Sequence, residues 1–126
     1  MSEYIHLRSS GDFRRVYASG RRYEGSLMTA FVHPNALQHH RLGITASRKA
    51  IGNAVERNRS KRLLRETFRL SEVALGDMGM RYDWVLNARR SLLRVKVAAA
   101  LEDFQRILSR VLSDERRNIA ETESLK

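Results

Sequence analysis

Alternating apolar and polar positions predict strands in the first half of the chain and again beyond its middle. Residues 26–33, "SLMTAFVH", are rich in strand-forming side chains, and their alternate positions face opposite sides of an extended backbone. Residues 41–47, "RLGITAS", and 82–89, "YDWVLNAR", have the same character, and a weaker strand is predicted at residues 21–25. The chain therefore supplies enough strands for one sheet.

Apolar residues at helical spacing predict three helices. The first spans residues 9–20 and carries Phe13 and Tyr17 four positions apart on one face; the second spans residues 53–71. The third, over residues 93–112, places one apolar stripe along its length. The resulting order, α-β-β-β-α-β-α, is typical of a two-layer α+β sandwich.

The length of 126 residues fits one domain, which we place at residues 1–113, followed by a flexible tail at 114–126. Cysteine is absent, which excludes disulfides and thiolate metal sites. The first residues lack the pattern of a secretory signal, and no apolar run approaches the length of a membrane span. We therefore expect a cytoplasmic protein with no membrane partner.

Positive charge is concentrated in one segment. The chain has a net charge of +10 and an isoelectric point near 11.0. Residues 48–69 hold eight lysines and arginines against two glutamates, a net charge of +6. Such an excess promotes binding to polyanions by releasing their counterions. The alternatives on pattern alone are an ordinary solvated helix and, less favoured, a membrane-surface helix, which would need a wide apolar arc that this chain uses for its core.

The basic segment forms a ridge on the second helix. Arg57, Lys61 and Arg65 follow one another at intervals of four positions, while Leu63 and Leu64 lie on the side that packs against the sheet. Like charges at this spacing repel by a few tenths of a kcal/mol per pair. A polyanion would relieve that repulsion, which favours nucleic-acid binding.

One continuous stretch resembles a known family. Residues 41–69, "RLGITASRKAIGNAVERNRSKRLLRETFR", are similar to the signature of the protein subunit of bacterial ribonuclease P, including the Arg57-Asn58-Arg59 core and Lys61-Arg62. The upstream "SSGDFRRVYASGRR" resembles the opening helix of that family, and "DWVLNAR" its final strand. The resemblance covers residues 7–112.

The resemblance implies a fold and a function. It implies a four-stranded mixed sheet packed with helices and a left-handed βαβ crossover, although the general rule favours right-handed crossovers. The RNA subunit of such an enzyme hydrolyses the 5′ leader from precursor tRNA with Mg²⁺, and the protein subunit binds both the catalytic RNA and the leader. We expect no organic cofactor, no protein-bound metal and no DNA partner.

The resemblance also assigns residues to two kinds of RNA contact. A single-stranded leader needs stacking platforms and flanking cations. The expected leader-binding residues are Phe13, Tyr17, Phe31, Arg57, Asn58, Lys61 and Arg65. The expected contacts to the catalytic RNA are Arg48, Lys49, Arg59, Arg62 and Arg69. From spacing alone, Phe13 and Tyr17 are equally interpretable as core contacts, whereas Phe31 is better interpreted as a core residue. Solvated surface charge is the less favoured interpretation of the cations assigned to the catalytic RNA.

A catalytic site within the chain is not indicated. The histidines lack metal-ligand spacing, and the aspartates are too scattered for a two-metal nuclease site. We therefore expect a non-catalytic subunit of a ribonuclease. The alternatives are a ribosomal-type structural RNA-binding protein, which needs no aromatic cleft, and a protein-only nuclease, which needs an acidic or histidine-containing site.

Overall fold

A single mixed sheet of five strands organises the chain, in a computed structural model that describes residues 4–124. The strands lie in the order β1-β4-β5-β3-β2. Their bounds are β1 Tyr4–His6, β2 Arg21–Glu24, β3 Met28–Pro34, β4 His40–Thr45 and β5 Tyr82–Ala88. All four predicted strands are present, and the prediction of a mixed sheet is confirmed.

The sheet is mixed because its two halves pair differently. β4 is parallel to both β1 and β5, whereas β3 is antiparallel to β5 and β2 is antiparallel to β3. β1 is the additional strand. It is only three residues long, so it is too short to show an alternating pattern in the sequence.

Four α-helices and one 3₁₀ helix accompany the sheet in the described part of the chain. The bounds are α1 Ser10–Ser19, α2 Ala54–Leu70, α3 Glu72–Gly76, the 3₁₀ helix Arg90–Arg94 and α4 Val97–Ser124. The predicted helix over residues 93–112 is wrong at both ends, because the 3₁₀ helix occupies its first turn and α4 continues to Ser124. α3 was not predicted, since five residues give too little periodicity to detect.

Local side-chain bonds fix where α1 and α2 begin. The Ser9 side chain accepts a hydrogen bond of 3.0 Å from the backbone N–H of Asp12. At α2, the Asn53 side chain accepts from the N–H of Glu56 at 2.9 Å, and Glu56 accepts in return from the N–H of Asn53 at 3.3 Å. This capping box satisfies backbone donors that would otherwise be unpaired at the start of the basic helix.

Helices cover both faces of the sheet. On one face, Trp84 packs with Phe68 of α2 and Phe104 of α4 in the main core. On the other face, Val16 of α1 packs with Val85 in a smaller cluster. The α+β class is confirmed, but the arrangement has three layers instead of the expected two, because successive residues of β5 point to opposite faces and each face carries buried apolar side chains, Trp84 and Leu86 on one and Val85 on the other.

α2 lies in the connection between two neighbouring parallel strands. The chain leaves β4, passes through α2 and α3, and returns as β5 beside β4. The βαβ crossover implied by the resemblance is therefore present. Its left-handedness stays a prediction.

The last helix is anchored beyond the point where a tail was expected. The Tyr23 hydroxyl donates to the Asp114 carboxylate at 2.5 Å, and Arg21 forms an ion pair with that carboxylate at 3.0 Å. The Tyr23 bond lowers the pKa of Asp114, while burial, followed by the bond to Asp114, raises the pKa of Tyr23 to about 12. These contacts hold the helix against β2.

Glu115, which is buried, forms a second anchor. Its carboxylate accepts hydrogen bonds from the backbone N–H groups of Gly79 and Met80 at 3.0 and 2.9 Å, and from the Tyr82 hydroxyl at 2.8 Å. The helix and its contacts therefore extend past residue 113, where the tail was expected to begin, and the domain boundary itself stays a prediction. The flexibility of the residues that follow stays a prediction.

His40 joins the start of β4 to β5 inside the core. Its Nδ1 accepts hydrogen bonds from the backbone N–H of Tyr82 and from Nε1 of Trp84, both at 3.1 Å, and Nε2 donates to the carbonyl of Leu75 at 2.9 Å. Burial lowers the pKa of His40. The imidazole is therefore neutral at neutral pH, and its bonding capacity is fully used.

Removing residues 114–126 should destabilise the protein, because it deletes the carboxylates of both Asp114 and Glu115. Since hydrogen bonds to charged groups each contribute about 1.5–3 kcal/mol, we expect a loss of at least 2 kcal/mol in the free energy of unfolding, measured in urea. Removing only residues 119–126 is the control and should cost much less. Equal stability of the two truncated chains would show that the anchors contribute nothing.

Candidate RNA interface

An open groove lies where α1 meets the end of the sheet, and we call it the α1 groove. Its volume is about 730 Å³. Residues of α1, β3, β4, β5 and the segments following β4 and β5 line it. They are Tyr17, Thr29, Thr45, Ser47, Lys49, Ala50, Asn87, Ala88, Arg89 and Arg90. A groove of this size and openness accommodates an extended segment of a ligand.

The floor of the α1 groove contains a polar network. The hydroxyls of Tyr17 and Thr45 both donate to Oδ1 of Asn87, at 2.9 and 2.6 Å. The three residues belong to α1, β4 and β5, so the network links three elements that are distant in sequence. It was not predicted, because each residue by itself reads as an ordinary helix or strand position.

The predicted aromatic residues do lie together. The rings of Tyr17 and Phe31 meet edge to face with centroids 4.8 Å apart, and Tyr17 is 39% exposed. Phe13 and Phe31 are half-buried against the Leu7 cluster. The Phe13 ring lies over Gly43, where a Cβ would approach its Cζ to 2.5 Å. Tyr17 is therefore the most available stacking platform of the three, and Phe13 also has a core role.

Cations surround the α1 groove. Lys49, predicted to contact the catalytic RNA, lines the same groove as Tyr17. Arg89 and Arg90 line it as well, and Arg89 donates to the carbonyl of Gly25 at 2.9 Å. Sequence reasoning missed these two arginines, although a basic pair directly after a strand was a visible signal.

α2 packs on the face of the sheet opposite to α1. Its Leu64 and Phe68 enter the main core. Arg57, Asn58, Lys61 and Arg65, which were expected to bind the leader, do not line the α1 groove. The α1 groove thus contains Tyr17, from the aromatic half of the expected leader site, together with Lys49. The α2 residues expected to bind the leader lie outside that groove.

Two of the α2 cations have protein partners that hold the helix in place. Arg57 donates to the carbonyl of Gly52 at 2.9 Å, just before the helix begins. Arg59 donates to the carbonyls of Leu93 and Val95, at 2.8 and 3.1 Å. The Arg59 guanidinium therefore connects α2 to the segment that leads into α4, while remaining exposed.

The remaining residues expected to bind RNA differ in whether their side chains have a partner within the protein. Arg69 forms a two-point pair with Glu66, at 3.0 and 2.5 Å, which lowers the pKa of Glu66. The exposed side chains of Arg48, Arg62 and Arg65 form no hydrogen bond or ion pair with any residue between 4 and 124. Lys49, Asn58 and Lys61 also form no hydrogen bond or ion pair with the described residues. Lys49 and Asn58 are exposed, and Lys61 is half-buried.

The buried carboxylates of Asp83 and Asp103 form hydrogen bonds that stabilise the fold. Asp83 pairs with Arg41 through bonds of 2.7 and 2.6 Å. Asp103 accepts from the backbone N–H groups of Ser26 and Leu27, at 3.0 and 2.9 Å.

Within residues 4–124, no three His, Cys, Asp or Glu side chains are grouped to hold a metal ion. No helix there is long and apolar enough to cross a bilayer.

Comparison with known proteins decides the family. Residues 1–112 match the family model described as Ribonuclease P. The chain belongs to the Ribonuclease P family. It is 43% identical over 107 residues to the ribonuclease P protein component of Methylococcus capsulatus, covering 82% of this chain and 80% of the relative. It is 34% identical over 104 residues to that of Caldanaerobacter subterraneus, covering 82% and 86%.

Solved structures of the Ribonuclease P family share the fold. The RNase P protein of Staphylococcus aureus superimposes with a TM-score of 0.73 at 26% identity, covering 85% of this chain and 94% of that one. The RNase P protein of Thermotoga maritima gives a TM-score of 0.72 at 28% identity, covering 83% and 96%. Family membership thus favours the ribonuclease P interpretation over a ribosomal-type structural protein.

Replacing Phe13 by alanine should destabilise the fold, because its half-buried ring packs on Gly43 and the Leu7 cluster. We expect a loss of about 2–3 kcal/mol in the free energy of unfolding in urea, below the cost of a fully buried phenylalanine. Tyr17→Ala is the matched comparison and should cost about 1 kcal/mol, since it removes one exposed ring and one hydrogen bond. Equal costs would contradict the division between core and platform.

Proposed function

We propose that this chain is the protein component of a ribonucleoprotein that removes the 5′ leader of precursor tRNA in the cytoplasm. The observation that supports this most strongly is the α1 groove, with an exposed tyrosine, a polar floor and a basic rim, on a chain of the Ribonuclease P family. In this proposal the catalytic RNA and its Mg²⁺ supply the chemistry of hydrolysis. The protein supplies positive charge and a place for the leader.

The leader lies in the α1 groove. Single-stranded RNA binds where aromatic rings accept stacked bases and nearby cations accompany the phosphates. Tyr17 offers a ring that is supported from the side by Phe31, and Lys49 and Arg90 stand at the rim. Such a site tolerates many leader sequences, because every base has a face that stacks.

The leader path continues from the groove toward α2. Lys49 lines the groove and lies four residues before Asn53, the residue that caps α2. A strand that leaves the groove past Lys49 would therefore approach the first turns of α2, which carry Arg57, Asn58 and Lys61. In this way, the two halves of the expected leader site act in succession along one strand.

The catalytic RNA contacts the exposed cations of α2 and of the loop before it. Arg48 and Arg62 have no protein partner among the described residues, so their guanidinium groups are available to grip phosphates. Arg59 and Arg69 already bind protein oxygens, and Arg59 retains donors for a phosphate. RNA binding also relieves the repulsion among the α2 cations.

Tyr17→Ala should weaken binding of precursor tRNA to the reconstituted holoenzyme, provided that the tRNA carries a leader. Loss of one stacking platform should cost about 1–3 kcal/mol of affinity. The effect should disappear with a leader trimmed to one nucleotide, because the groove is then empty. The measurement is the dissociation constant of each substrate at fixed salt and Mg²⁺.

Equal losses for trimmed and full-length leaders would contradict the assignment of Tyr17 to the leader. Two controls complete the experiment. Protein without the RNA subunit should not cleave, and circular dichroism should show that the Tyr17→Ala variant is folded. Specific 5′ cleavage by the protein alone would overturn the proposed division of labour.

Arg62→Ala should make binding of the catalytic RNA less dependent on salt. Each lost phosphate contact lowers the slope of the logarithm of the binding constant against the logarithm of salt concentration by about 0.7–0.9. Arg116→Ala is the control, because it removes the same charge from an exposed position on the last part of α4. If both variants changed the slope equally, the effect would reflect net charge and not a contact at Arg62.

A further inference from the structure

The Asn87 side chain in the α1 groove is held in place by hydrogen bonds from two neighbouring residues. Its Oδ1 accepts hydrogen bonds from two hydroxyls, those of Tyr17 at 2.9 Å and Thr45 at 2.6 Å. A carbonyl oxygen has two lone-pair positions, so the acceptor side of this amide is fully used. Only the amide nitrogen remains to interact with a ligand.

The Asn87 amide nitrogen is accessible and unpaired. Nδ2 forms no hydrogen bond with any described residue. Among the described residues, the only buried side-chain polar atom without a partner is Ser60 Oγ, so Nδ2 of the half-buried Asn87 must reach solvent. Since Asn87 lines the α1 groove, this donor is available to whatever enters it.

The placement of charge in the groove orients a nucleotide. Phosphates are expected at the rim, where Lys49, Arg89 and Arg90 lie, and a base is expected beside Tyr17. The edge of a base that lies farthest from its sugar then points toward the floor. On that edge, guanine and uracil carry a carbonyl oxygen, whereas adenine and cytosine carry an amino group.

We infer that Asn87 is a specificity-determining residue: it donates a hydrogen bond from Nδ2 to a leader base and favours guanine or uracil over adenine or cytosine at one leader position. This inference rests on the proposed function of the α1 groove. An amino group cannot accept the bond and would face a second donor, so the hydrogen bond to Nδ2 is lost. Tyr17 and Thr45 act as positioning residues, because their hydroxyls donate to Oδ1 and so place Nδ2 on the side of the groove.

The test uses holoenzyme reconstituted from the full chain and its catalytic RNA. Precursor tRNAs with randomised leaders compete for cleavage, and sequencing gives the relative kcat/KM for each base at each position. We expect a two- to tenfold preference for guanine and uracil at one position, as expected of one solvent-accessible hydrogen bond. Asn87→Val should abolish this preference.

Asn87→Asp is the sharper variant, because a carboxylate still accepts from Tyr17 and Thr45 but presents an acceptor in place of Nδ2. It should reverse the preference toward adenine and cytosine. Ser47→Asp is the matched control: it adds the same charge to the lining of the groove, so it should weaken all leaders while preserving the preference. If Asn87→Val does not fold, the reversal in Asn87→Asp decides the question.

Three outcomes would overturn the inference: no base preference in the unmodified holoenzyme, a preference for adenine and cytosine, or a preference that survives both Asn87 variants. Failure of the proposed function looks different. In that case, trimming the leader would leave the affinity of the unmodified holoenzyme unchanged. A dependence on leader length without any role for Asn87 would reject the inference alone.

Discussion

The packing of Trp84 is the interaction on which the rest of the structure depends. Its ring meets Phe68 of α2 and Phe104 of α4, with centroids 5.9 and 5.6 Å away, and its Nε1 donates to the buried His40. One side chain of β5 therefore fixes both large helices and the start of β4. Because adjacent strand residues face opposite ways, the same segment presents Val85 to α1 and Asn87 to the groove. The helix that carries the exposed cations and the α1 groove are therefore both held by one strand.

Long patterned segments were predictable from the sequence, and short or unpatterned ones were not. The alternation around Trp84 and the spacing of Leu64 and Phe68 identified β5 and α2 to within one or two residues. β1 is set by pairing with β4, a contact that leaves no local signature in three residues. α4 continues past residue 112 because Asp114 and Glu115 find buried partners in distant elements, although their own segment reads as a polar tail. Tertiary contacts decided those boundaries.

In the candidate site, too, some residues were identified from the sequence while others became evident only in the folded structure. Phe13, Tyr17 and Phe31 were identified together, and two of them form a direct ring contact. Asn87 and Thr45 escaped notice because they lie 42 positions apart and meet only when β4 and β5 pair. Neither the position of α2 on the opposite face of the sheet nor the arrival of Lys49 in the groove follows from spacing along the chain. Charge and aromatic content predicted the class of partner, whereas topology decides which residues can meet it.

The hydroxyl bonds to Asn87 have a consequence for the entropy of RNA binding. They join α1, β4 and β5, which pairing and packing already hold in place, so the shape of the groove exists before any ligand arrives. The cost of ordering a complex then falls almost wholly on the flexible RNA strand, because few protein side chains at the floor lose freedom. If the leader binds as proposed, a preformed floor lets a few nucleotides contribute usefully to affinity.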